Sequence, residues 1–159
     1  MYIDDLRFYD DSNREGHAAR VYFPALFGSG FARNSDSSVN VALNYGYAVV
    51  LACFTREIAA NGYLSQLGLF HRNIFNQFNL ASDLMEPFRP MVDRMVVNIA
   101  PQKFEHPERL AVLQVLTQQV SIADRVELVS NAIKIYTKSI FDALNNNDVS
   151  LIRGYRCEL

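Results

Sequence analysis

Four residues on three separate stretches of the chain have side chains suited to holding a divalent cation: Glu15, His71, Asp83 and Glu86. Carboxylate oxygens and an imidazole nitrogen together match Mg²⁺ or Mn²⁺, and the single nitrogen favours Mn²⁺ somewhat. Asp83 and Glu86 lie three residues apart, the spacing that puts two side chains on one helix face. Each residue also has an ordinary role. Glu15 completes the capping-box pattern Ser12-Asn13-Arg14-Glu15, Asp83 can neutralise a helix start, Glu86 can sit in solvent, and a lone histidine is commonly just hydrogen-bonded. Spacing alone leaves the metal site and the structural roles both open. Asp93 reads as a surface residue paired with Arg89, and His17 and His106 as polar or capping residues. Nucleophilic hydrolysis lacks a Gly-x-Ser-x-Gly elbow, and Cys53 lies in an apolar stretch. Gly28-Ser29-Gly30 is a loop rather than a phosphate cradle.

The elements that would carry these residues are helical. A helix begins near residue 13, is disturbed at Pro24 and ends by Gly28; residues 28–38 read as a mobile loop. From Ser38 to Asn61-Gly62 runs a helix apolar on every side, as expected for one surrounded by others. Residues 63–81 alternate aromatics with Asn and Gln and predict short turns. Over 82–100, Leu84, Phe88, Val92, Met95 and Ile99 form one stripe and Asp83, Glu86 and Asp93 another, with a kink expected beside the acidic pair at Pro87 and Pro90. Pro107 opens a helix burying Leu110, Leu113, Leu116 and Val120, and Val126 to Leu144 predicts a last long helix ended by Asn145-Asn146-Asn147. Val149 to Ile152 reads as a short strand or a tail. The aromatic set Tyr45, Tyr47, Phe54, Phe70, Phe75 and Phe78 reads as core rather than as a base-stacking surface. The expected fold class is all-α.

With 159 residues, 7 Gly, 5 Pro and half its residues apolar, the chain suits one globular domain and excludes low-complexity or collagen-like sequence. Fifteen basic against 17 acidic residues leave a formal charge of −2, so no overall positive field grips nucleic acid. Two cysteines form no disulfide framework, the apolar run Gly46 to Phe54 is shorter than the ~20 residues of a membrane helix, and Asp4, Asp5, Asp10 and Asp11 interrupt any leader. The sequence reads as soluble and cytoplasmic, without a membrane partner.

Four strings, in order, carry a resemblance: Arg14-Glu15-Gly16-His17-Ala18-Ala19, Asn44-Tyr45-Gly46-Tyr47, Gly68-Leu69-Phe70-His71 and Asp83-Leu84-Met85-Glu86-Pro87-Phe88-Arg89-Pro90. Together they resemble the CRISPR-associated adaptation integrase in its type II form. The resemblance implies a multi-helix C-terminal domain, here without the family's N-terminal β-rich domain. It implies Glu15, His71 and Glu86 as metal ligands and catalytic residues, with Asp83 supporting them and Mg²⁺ or Mn²⁺ as cofactor. Many relatives outside type II place an aspartate where Glu86 stands.

The implied reaction is transesterification: the 3′-hydroxyl of a captured DNA fragment attacks a phosphodiester at the edge of a CRISPR repeat. Implied partners are both DNAs, a second copy in the full-length protein, and the small second subunit of the adaptation complex. Arg14, Arg20, Arg72 and Arg89 lie near the motifs and are candidates for phosphate contact. The competing reading is a non-catalytic helical scaffold in which Glu15 and Asp83 are caps and His71 is structural.

Overall fold

The computed structural model describes residues 14–157, with only the backbone of Glu15. The Ser12-Asn13 half of the expected capping box lies outside the described residues. The chain runs through α1 (Arg14–Phe27), α2 (Ser38–Ala60), α3 (Asn79–Met85), a 3₁₀ turn (Glu86–Phe88), α4 (Arg89–Ile99) and α5 (His106–Leu113). A second 3₁₀ turn (Gln114–Thr117), β1 (Gln119–Ile122), β2 (Arg125–Leu128), α6 (Val129–Asn146), a third turn (Val149–Leu151) and β3 (Tyr155–Arg156) follow.

The helical expectation holds, and α2 is the central helix it called for. Ser37 caps it by accepting the Asn40 amide, and Gly62 leaves it with φ +80°, a left-handed conformation that glycine adopts without strain. By length and composition α2 could cross a membrane, but its Ala42, Leu43, Val50, Phe54 and Ile58 are buried beneath α3, α4, α5 and α6. Gly46 lets α4 and α5 approach: a Cβ there would stand 2.4 Å from Val92 Cγ1 and 3.1 Å from Val112 Cγ1. The loop before α2 is tied down, since Asn40 Nδ2 donates to the carbonyls of Ala32 and Ser35.

Pro24 is accommodated inside α1, which continues to Phe27. The expected amphipathic stretch over 82–100 is broken beside the acidic pair, as the two prolines require. α3 stops at Met85, Pro87 sits in the 3₁₀ turn, and Pro90 opens α4, where a missing amide costs nothing.

Three expectations need correction. Val120 lies on β1 and Val126 on β2, so the helices around them are shorter than the periodicity suggested. The two strands form an antiparallel hairpin in which Val120 pairs with Glu127, turning through Ala123 and Asp124 at φ 51° and 59°. That two-residue turn lacks the Asn-Gly or Asp-Gly signature that advertises such hairpins. Val149 to Leu151 forms a 3₁₀ turn rather than a strand; β3 comes later and pairs with β1, giving the order β2-β1-β3.

Candidate functional site

Asp83, on α3, organises the best-defined part of the site. Its carboxylate accepts the backbone amides of Leu69 (2.5 Å), Phe70 (3.0 Å) and His71 (3.0 Å), and Oδ1 lies 2.5 Å from His71 Nδ1. Burial alone would raise this carboxyl, but the bonds from the His71 ring and the three amides outweigh it and hold the group below the usual carboxylate range. An ionised carboxylate only accepts, so Nδ1 carries a proton, and in the neutral form of the ring the lone pair is on Nε2.

The loop is shaped for this grip. A Cβ on Gly68 would meet the His71 carbonyl at 2.2 Å and Asp83 Oδ2 at 2.9 Å, so only glycine permits the wrap. Buried Asn79 holds the loop from below, donating to the Gln66 and Asn73 carbonyls at 3.0 and 2.8 Å. His71 and Arg72 border a cavity of about 470 Å³, with Gln66, Asn73 and Asn76 on its walls.

Glu86 opens the 3₁₀ turn immediately after α3. The next two residues are anchored: Tyr155 donates to the Pro87 carbonyl at 2.8 Å, and Phe88 is fully buried against Phe54, Tyr136 and Tyr155. Burial pushes the Tyr155 hydroxyl up to about 12, so it remains a donor. Glu86 itself is part exposed and pairs with Arg89 at 3.1 Å.

Arg89 also lies over the Tyr47 ring, 5.0 Å from its centroid. Arg20 is exposed on α1, Arg14 begins that helix, and Arg72 is exposed in the loop. Glu15 occupies the first turn of α1, and the position of its side chain lies outside the described residues. Among the described residues, no group of three or more His, Cys, Asp or Glu side chains is assembled to hold a metal.

Asp93 is the residue the sequence reading misplaced. It is 2 % exposed, and its carboxylate accepts the Tyr22 hydroxyl at 2.8 Å and the Tyr47 hydroxyl through the other oxygen. Arg33 joins this cluster, stacking on Tyr47 and bonding Asn40 and Asn44. Asp93 sits next to Val92 at the edge of the apolar stripe, which was the available sign of burial. Phe54 is core as expected, whereas Phe70, Phe75 and Phe78 are exposed, Phe75 by 88 %, because the loop turns on its own Asn side chains: Asn73 caps the Phe75 amide and Asn76 the Phe78 amide.

The family model for CRISPR associated protein Cas1 matches residues 12–114. The chain belongs to the Cas1 family. The match takes in all four motif strings and stops before the β-hairpin. The CRISPR-associated endonuclease Cas1 of Neisseria meningitidis serogroup C (strain 8013) is 49% identical over 98 residues, 62% of this chain and 32% of that protein. That of Pyrobaculum aerophilum is 36% identical over 91 residues, 55% of this chain and 30% of its own length. The chain thus aligns with about a third of each of these Cas1 proteins. A solved structure described as a casposase bound to integration product superposes with a TM-score of 0.77 at 19% identity, covering 93% of this chain and 51% of that one, which shows a shared fold.

Proposed function

We propose that this Cas1 chain forms the metal-dependent catalytic domain of a CRISPR adaptation integrase and endonuclease. In this reading the full protein joins the 3′-hydroxyl of captured DNA to a CRISPR repeat by transesterification. The observation that supports it most is the His71–Asp83 pair. A histidine whose Nδ1 proton is held by a buried carboxylate, with the ring part exposed beside a cavity, has the support typical of metal-ligating histidines. Family membership supports the same reading, as do the Cas1 relatives described as endonucleases and a fold neighbour captured with an integration product.

The donor set of Glu15, His71 and Glu86 fits Mg²⁺ or Mn²⁺, which when bound would lower the cost of charge gathering on the reacting phosphate and attacking oxygen. The protein's own part is positioning. Asp83 selects the imidazole tautomer and stops the ring from turning, while the Phe88 and Tyr155 anchors fix the turn that bears Glu86. Arg72 beside His71, Arg20 on α1 and Arg14 at the start of α1 are the proposed phosphate contacts, and Arg89 pairs with Glu86 and lies over Tyr47. A second copy and a small second subunit complete the proposed assembly, whose place is the cytoplasm.

In the full-length protein, His71→Ala and Glu86→Ala should each abolish spacer integration in an oligonucleotide joining assay while helical circular dichroism stays unchanged. Integration at parental rate by either variant would refute the assignment. The scaffold alternative predicts no specific Mn²⁺ binding in a calorimetric titration of the full-length protein, whereas the catalytic reading predicts binding that Glu86→Ala removes.

A further inference from the structure

The cluster around Asp93 has a geometry beyond simple burial. Tyr22 follows Glu15 by seven residues on α1, and Asp93 follows Glu86 by seven across the short turn and α4. On α1 seven residues are close to two helical turns, about 10 Å along the axis, and on the other side the 3₁₀ turn that begins at Glu86 leads directly into α4. The Tyr22–Asp93 hydrogen bond joins α1 to α4. Leu26 and Phe27, further along α1, border one small cavity with Val96, Val97 and Ala100, further along α4. The two helices therefore run alongside in the same direction. The start of α1, which carries position 15, and the start of α4, which follows Glu86, thus lie toward the same end of the pair.

We propose that Asp93 is a positioning residue: by taking the Tyr22 and Tyr47 hydroxyls it sets the register of α1 against α4, and so the separation of Glu15 from Glu86. This rests on the reading of those two glutamates as ligands of one cation. α1 needs such a tie. Among its described residues none is fully buried, Val21 is 58 % exposed, and the two phenylalanines that pack against the core, Phe23 and Phe27, both follow Tyr22. A carboxylate suits the task because it accepts both hydroxyls at once, one per oxygen. Burial and the bond to Asp93 hold both phenols far above their ordinary value, so they stay donors throughout the working range. Tyr47 extends the tie to Glu86 itself, because Arg89 stacks on its ring while pairing with that glutamate.

Tyr22→Phe in the full-length protein deletes one hydroxyl and keeps the ring. Mn²⁺ affinity, read from the free-ion electron paramagnetic resonance signal, should weaken by about tenfold, the lower end of the losses that follow when groups orienting metal ligands are removed. Helical circular dichroism should be retained, and Asp93→Asn, which keeps a single acceptor, should fall in the same direction. Glu86→Ala is measured alongside. Parental Mn²⁺ affinity in Tyr22→Phe, with binding lost in Glu86→Ala, would overturn the positioning role and leave the site standing. Weakened binding accompanied by loss of helical signal would assign Asp93 to folding alone and also overturn it. Parental affinity in Glu86→Ala would remove the site, and the inference with it.

Discussion

At the scale of single residues, Asp83 does two things at once: it satisfies three loop amides and orients one imidazole. Its loss should therefore loosen the loop as well as the histidine. Asp83→Ala is expected to cost about 1–3 kcal/mol in urea unfolding, since the amides and the ring lose a charged acceptor. An unchanged denaturation midpoint would show that the loop finds other partners. His71, Asp83 and Glu86 could be singled out in the sequence as candidates because their motifs are short and dense. The link between His71 and Asp83 could not, since it depends on the loop between α2 and α3 wrapping back onto Asp83 past Gly68. Asp93 was misread because a carboxylate on an amphipathic helix ordinarily faces water, and only the arrival of Tyr22 and Tyr47 from two other helices makes its burial tolerable.

At the scale of elements, the break at Pro87 was visible beforehand, because a proline's missing amide and ring act on its own helix. What holds the broken turn came from elsewhere: Tyr155 on β3 and Phe54 on α2. The hairpin escaped notice for a related reason. Its strands have four residues each and an Ala-Asp turn, too little local signal to set against the helical periodicity on both sides. Gly46 provides a test at this scale. Gly46→Ala puts a methyl group into Val92, and the overpacking should destabilise the purified protein by about 1–3 kcal/mol. Adding Val92→Ala should return part of that loss in a double-mutant cycle, whereas strict additivity of the two costs would show that α2 and α4 do not meet there as described.

For the molecule as a whole, the Asp93 cluster joins α1, α2 and α4, and its protonation is expected to appear in global stability. Burial is the largest influence on this carboxyl and raises it, against the two tyrosine bonds and the charges of Arg89 and Arg33. The folded protein then keeps a proton on Asp93 in a range where the unfolded chain has released it. Asp93's contribution is full below the unfolded value of about 3.9 and falls as pH rises through the folded one. In thermal melts from about pH 4 upward, the parent should lose stability relative to Asp93→Asn; parallel curves would contradict the raised value. By itself the sequence determined the helical class, the position of α2, the break beside Glu86 and membership of the Cas1 family, because periodicity, prolines and short motifs act over neighbouring residues. Only the tertiary structure decided which face of α1 meets α4, that Asp93 is buried, and that Asp83 holds His71. Those depend on contacts between residues far apart in the chain, whose partners no local pattern names.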